Sequence, residues 1–293
     1  MKSITYYILL IIIKIKGIKK TYSKSPIDYL ALRKNDVYFI RKKLFSTSFI
    51  KTYKIKQTKI SEIKSNESSN KLLLWIHGGA FISGPFKHHW DTIERISKET
   101  NYTIWLCDYP KAPENKINQI SDNIDLVYDF ANKKYNHNEI TLIGDSVGGT
   151  LIIALIQRLI IRGCQLPNRL ILISPVLNAS FDNPLIDKIE KKDPILSKKG
   201  VLSAKKMCVG NDSLVNPNIS PINGNFISFP MTQLYIAEND ITYPDQLLLI
   251  ENLRDSRVPH SIFFGKGMPH IWPLLPLMKE SKIALTDIIN SLK

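Results

Sequence analysis

Cysteine is scarce: Cys107, Cys164 and Cys208 are odd in number, widely spaced and form no C-x-x-C pair. That spacing excludes a disulfide framework and a thiolate zinc site, and it suits the reduced thiols of a cytoplasmic protein. Cys107 ends an apolar run and reads as a small buried hydrophobe. No H-E-x-x-H pattern occurs, and His88 and His89 stand at a helix start with no acidic partner at ligand spacing, so no metal is expected. No apolar run reaches the ~20 residues that span a bilayer, and no internal repeat is evident.

Acidic residues are few at the start of the chain. Residues 1–60 hold 15 Lys and Arg against Asp28 and Asp36, while the remainder balances 25 basic with 24 acidic residues, so the formal charge of +14 belongs almost wholly to the leader. The leader has no zinc-finger spacing, basic zipper or RNA-binding aromatic signature, which argues against nucleic acid as a partner. A lysine- and isoleucine-rich composition raises the charge without any partner, and a solvated basic face is the plain reading of much of it.

Within the leader, residues 4–13 form an apolar run bounded by Lys2 and by Lys14, Lys16, Lys19 and Lys20. No small-x-small cleavage site follows, as a secretory signal would need. Two readings stay open: residues 1–20 lie as an amphipathic helix on an anionic membrane surface, or they pack over the body and shield its functional site. Residues 26–49, with further helical patterning and Arg41, Lys42 and Lys43, would add to a cap of two or three helices. Residues 1–50 therefore read as a basic N-terminal helical segment.

The body, residues 51–293, is ordinary in its 44% apolar and 23% charged content for the whole chain. Short apolar runs alternate with longer amphipathic ones, the pattern of an α/β fold with a mostly parallel central sheet and helices on both faces. Strands are expected at 72–76, 103–107, 140–143, 170–174, 233–237 and 261–264, with one edge strand at 51–60 and a polar turn at 61–70. Helices are expected at 89–100, 115–134, 147–162, 244–256 and 277–292. Residues 178–229, rich in Pro, Asn, Asp and Lys, break the rhythm and read as an insertion over the sheet's carboxyl edge, with a short helix at 197–208.

The chemistry concentrates in Gly144-Asp145-Ser146-Val147-Gly148-Gly149-Thr150, directly after a strand and before a helix. A serine on such a sharp turn is held clear of the backbone in a strained conformation, at a helix N-terminus that favours negative charge. Residues 72–80 run from an apolar strand into His77-Gly78-Gly79-Ala80, where small residues let the N–H groups of Gly78, Gly79 and Ala80, with that of Val147, approach an oxyanion. His77 is expected to brace this loop rather than to act as base or ligand. Asp240 and His270 each fall in a loop after a strand, in the order nucleophile, acid, base; Glu238 and Asp245 rival Asp240 as the acid, whereas His137 and His260 precede their strands.

Together these segments resemble the hormone-sensitive-lipase-like bacterial carboxylesterases and acetyl esterases of the α/β-hydrolase fold. His77 to Ala80 is similar to that family's H-G-G-G loop, Asp108-Tyr109-Pro110-Lys111-Ala112-Pro113-Glu114 to its D-Y-R-L-A-P-E segment, and Gly144 to Gly149 to its G-D-S-A-G-G turn. Ser174-Pro175, Asp193-Pro194-Ile195-Leu196, Ser220-Pro221 and the 237–240 segment are further landmarks, and the likeness covers roughly residues 70–290. The resemblance implies a helical cap, no cofactor and a small-molecule ester as substrate. Ala80 in place of glycine narrows the pocket, Val147 in place of alanine crowds the acyl group, and Pro110 and Lys111 replace Arg and Leu. Two alternatives remain on the same fold: a ligand-binding protein without catalysis, and an amidase or peptidase with the same triad. Oligomeric state is not legible.

Overall fold

A run such as Leu72–Ile76, with no polar member, is stable as a strand only if both its faces are covered. The computed structural model, which describes residues 2–38, 49–64 and 69–293, buries every residue of that run. In chain order the elements are α1 (Ile4–Ile15), α2 (Ile18–Thr21), α3 (Tyr29–Arg33), β1 (Phe49–Ile55), β2 (Thr58–Lys64), β3 (Leu72–Ile76), α4 (Lys87–Glu99), β4 (Thr103–Asp108), α5 (Ile117–Lys134), β5 (Ile140–Asp145) and α6 (Val147–Ile161). There follow β6 (Arg169–Ile173), α7 (Ile186–Glu190), α8 (Lys198–Val209), β7 (Met231–Asn239), α9 (Tyr243–Asp255), β8 (His260–Pro269) and α10 (Lys279–Leu292).

The strands form one eight-stranded sheet in the order β1-β2-β4-β3-β5-β6-β7-β8. It is parallel from β4 through β8, and only the β1–β2 and β2–β4 pairings are antiparallel. Helices α5 and α6 pack on each other, and α4 packs on α10, so the apolar strands are enclosed by two helical layers. This is the α/β architecture that the alternation of runs implies.

The amino edge differs from expectation. In place of one strand at 51–60 and a polar turn at 61–70, β1 and β2 form a hairpin that turns at Lys56 and Gln57, and residues 61–64 continue β2. The turn puts Lys56 at φ 51° without the Asn or Gly that normally marks such a bend, so the sequence hides it. Residues 65–68 lie outside the described residues.

Ser3 caps α1 by accepting the Tyr6 N–H, and Asp28 caps α3 by accepting that of Ala31. Helix α1 packs over the body through Tyr6, Leu9 and Ile13, with the Tyr6 hydroxyl donating to the Gly267 carbonyl at 3.0 Å and Ser3 bound to Glu280 of α10. Of the helices expected in residues 26–49, α3 is present; residues 39–48, with Arg41, Lys42 and Lys43, lie outside the described residues. Among the described residues no helix is long and apolar enough to cross a membrane.

Leu142, wholly buried in β5 between β3 and β6, tests the core. Leu142→Ala should lower the unfolding free energy by about 2–5 kcal/mol, read as a lower urea midpoint at unchanged m.

Candidate active site

Parallel strands deliver their carboxyl ends to one edge of the sheet, and loops leaving adjacent strands at that edge start side by side. The register makes this concrete. Ile76 of β3 pairs with Gly144 of β5, so His77 and Gly78 leave the sheet beside Asp145 and Ser146. A Cβ placed on Gly78 would lie 3.0 Å from the Ser146 Cβ. Asn239 of β7 pairs with Pro269 of β8 beyond an irregularity in the ladder, so Asp240 and His270 are the next residues on neighbouring strands. An irregularity of this kind re-aims the strand end.

The structure brings the three predicted side chains into one line. The Ser146 hydroxyl is 2.9 Å from His270 Nε2, and His270 Nδ1 is 2.7 Å from an Asp240 carboxylate oxygen. Ser146 sits at φ 54° and ψ −123°, a conformation that costs an L-residue on the order of 1–3 kcal/mol, and α6 begins at the next residue. Gly148 is what allows the turn to close, since a Cβ there would come within 2.0 Å of the Ile76 carbonyl oxygen. Gly79 is held at φ 123° with its missing Cβ pointing 2.1 Å from the Ser83 carbonyl oxygen, so the loop after β3 folds tightly back on itself.

Neither rival acid faces the imidazole. Glu238 accepts the Gly267 N–H at 2.6 Å, and the Asp245 carboxyl, which burial pushes up to about 6, lies against Asn183. Asp240 is wholly buried, and it accepts the Thr242 N–H at 2.9 Å and faces the Gln246 amide. Burial disfavours the charged form of His270, yet the charge and hydrogen bond of Asp240, with smaller help from Asp193 and Asp145, raise its pKa above the ordinary value.

His77 braces its loop: its Nδ1 is 2.6 Å from the Gly78 carbonyl and its ring stacks on Tyr109, whose hydroxyl donates to the His77 carbonyl. Burial lowers its pKa, as for a ring kept neutral. Linear spacing concealed an acidic partner for His89, which comes from β5. His89 Nε2 is 3.1 and 3.2 Å from the two Asp145 oxygens, and Trp75 Nε1 donates to the same carboxylate. His88, His89 and Asp145 have ligand atoms within 4.8 Å of one another, which makes them the metal-compatible group among the described residues. The existing donors already satisfy Asp145, and although burial opposes its charge, His89 and the Trp75 N–H hold its carboxyl well below the usual range. The pair works as a brace for the strand end that carries Ser146.

Two supporting residues were legible only as landmarks. Ser174, one strand over from Ser146, accepts the Ile271 N–H at 3.0 Å and so fixes the residue after His270. Asp193, buried in the segment between β6 and β7, accepts the N–H groups of Ile195 and Leu196 at 2.8 Å and that of Ile241 at 2.9 Å. It thereby ties that segment to the residue after Asp240, while Lys19 of α2 donates to the Asp193 carbonyl at 2.6 Å. No spacing along the chain links residue 193 to residue 241.

The family of the α/β hydrolase fold matches residues 73–274. A protein of Acanthamoeba polyphaga mimivirus named an α/β hydrolase is 30% identical over 244 residues, which cover 78% of this chain and 70% of that one. An esterase of Acinetobacter venetianus is 28% identical over 230 residues, covering 78% and 76%. Among solved structures, a Staphylococcus aureus protein named an esterase superposes with a TM-score of 0.87 at 25% identity, over 96% of this chain and 98% of that one. An esterase of the bacterial hormone-sensitive lipase family gives 0.86 at 20% identity over 100% and 98%, a likeness of fold. The chain belongs to the α/β-hydrolase family and is an esterase-type hydrolase.

Burial and the neighbouring Asp240 push the Asp193 carboxyl up to about 7, and its ionised form supports the protonated imidazole, so Asp193→Asn should lower the His270 pKa, read by NMR titration of the ring nitrogens. The same variant leaves an amide facing the Ile241 N–H, and should lose about 1–3 kcal/mol of stability.

Proposed function

We propose that the chain hydrolyses short-chain carboxylic esters through an acyl-enzyme, with Ser146 as nucleophile, His270 as general base and Asp240 as the acid that orients it. The observation that carries this reading is the continuous line of two hydrogen bonds, 2.9 and 2.7 Å, from hydroxyl to imidazole to carboxylate. His270 takes the Ser146 proton as the oxygen attacks the ester carbonyl, then gives it to the departing alcohol. A water deprotonated by the same imidazole attacks the acyl-serine and releases the acid. The N–H groups of Gly78, Gly79, Ala80 and Val147 receive the oxyanion of each tetrahedral intermediate, each donor being worth about 3 kcal/mol. No step calls on a cofactor. Ala80 and Val147 add bulk beside the nucleophile, which favours a short acyl chain.

The N-terminal helices and the segment between β6 and β7 act as a cap, a division supported by their shared attachment at Asp193 and by the Ser203 hydroxyl of α8 accepting the Ile27 N–H. A binding protein without catalysis would not need a base within hydrogen-bond reach of the serine. Of the two readings of residues 1–20, packing over the body accounts for one face of α1. Its other face favours contact with an anionic membrane as well. Ile4, Tyr7, Ile8, Ile11 and Ile15 share one stripe and are 47–80% exposed, opposite Tyr6, Leu9 and Ile13, with exposed Lys14, Lys16 and Lys20 close by.

Ser146→Ala should reduce turnover of p-nitrophenyl butyrate by at least about 10³-fold with an unchanged circular dichroism spectrum; retained turnover would refute the mechanism. The base works only when neutral, so kcat/KM should fall as pH drops through the raised His270 pKa, above 6.5. In Asp240→Asn that limb should move to lower pH and kcat should drop by about 10⁴-fold. For the membrane contact, the protein should co-sediment with phosphatidylglycerol vesicles and not with phosphatidylcholine ones, and Ile8→Asp with Ile11→Asp should weaken binding about tenfold or more. Equal recovery with both vesicle types would count against it.

A further inference from the structure

Lys205 occupies a position where the pattern of its helix asks for an apolar residue. Helix α8 buries Val201, Ala204, Lys205 and Cys208 along one stripe, the spacing of a core-facing helix side. The side chain is 0% exposed, and its Nζ has no hydrogen-bond partner. Its ammonium lies 4.4 Å from the centre of the Phe81 ring, and the ionisable group that acts on it is the Cys208 thiol rather than any carboxylate. Burial, only partly offset by that thiol, drops its pKa to about 7. A ring face compensates a buried cation only in part, so an ammonium enclosed without an anion is an unmet demand.

Its location gives that demand a use. Phe81 directly follows Ala80 in the loop whose Gly78 abuts Ser146. The other side of α8 is occupied by the N-terminal segment, since Gly200 backs onto the Tyr22 carbonyl and Ser203 accepts the Ile27 N–H. The Phe81 contact shows that Lys205, on another stripe, meets the loop beside Ser146.

We propose that Lys205 is a specificity-determining residue whose ammonium receives a carboxylate carried by the substrate, so that the preferred esters are small and anionic. The inference rests on the ester-hydrolase reading of Ser146. A charge-assisted hydrogen bond formed in an enclosed site is strong, and a site that holds an unmet buried donor discriminates against a substrate that lacks the matching group. Lys205 takes no part in the proton relay, and its contribution is to bind and orient.

The test compares each anionic ester with an uncharged isostere, beginning with monoethyl succinate against ethyl 4-methylpentanoate, with release of acid followed in a pH-stat. Extending the series to glutarate and adipate half-esters, and to 3-acetoxypropionate, tells which limb of the ester meets the cation. The wild type should favour the anionic member of at least one pair in kcat/KM. Lys205→Met should cut that preference about tenfold or more, mainly through KM, while Lys205→Arg retains most of it. A preference unchanged in Lys205→Met, or absent from the wild type for every pair, overturns the proposal. Hydrolysis of the uncharged esters by the wild type reports separately on the ester chemistry itself.

Discussion

The pairing of Asn239 with Pro269 is the contact on which the site depends. It makes residues 240 and 270 neighbours across two parallel strands although 30 positions separate them, and it does so at the edge where β5 delivers Ser146. Every other feature of the line from hydroxyl to carboxylate is a refinement of that placement. Ser174 fixes the residue after the imidazole, Gln246 and Thr242 hold the carboxylate, and Asp193 anchors the loop from outside the sheet.

Strain and burial at this edge have the same origin. The Ser146 backbone is held in a conformation that an L-residue avoids because the turn is clamped on both sides, by Gly148 against the Ile76 carbonyl and by the Ser146 N–H on the Ile173 carbonyl. The polar side chains that stabilise the turn from beneath, His89, Asp145 and Trp75, are buried and pair with one another, so they cost little of what unpaired burial would. Lys205 is the contrast, a buried amine with no acid of its own, whose charged form burial disfavours. Asp145 has its donors on neighbouring elements, whereas the Lys205 Nζ meets the face of the Phe81 ring.

Helix α1 carries apolar residues on a buried face and on an exposed one. Apolar residues on all sides of a helix in a water-facing position are unfavourable unless both faces find cover. The body covers Tyr6, Leu9 and Ile13, and the Tyr6 hydroxyl reaches the strand that leads to His270.

The sequence determined the local structure: the strand–turn–helix around Ser146, the small-residue loop after β3 and the placing of Asp240 and His270 just after strands were legible because each depends on a few adjacent residues. The apolar runs also disclosed the α/β class and most elements to within a few residues, since both-face burial needs uninterrupted apolar side chains. Tertiary structure alone decided what depends on register and on approach through space. It turned a single edge strand into the β1–β2 hairpin, set Asp240 rather than Glu238 or Asp245 against the His270 ring, gave His89 its partner in Asp145, and joined Asp193 to the loop after β7. The physical reason is that hydrogen bonds and charges act over a few ångströms, whereas their partners here lie tens of residues apart.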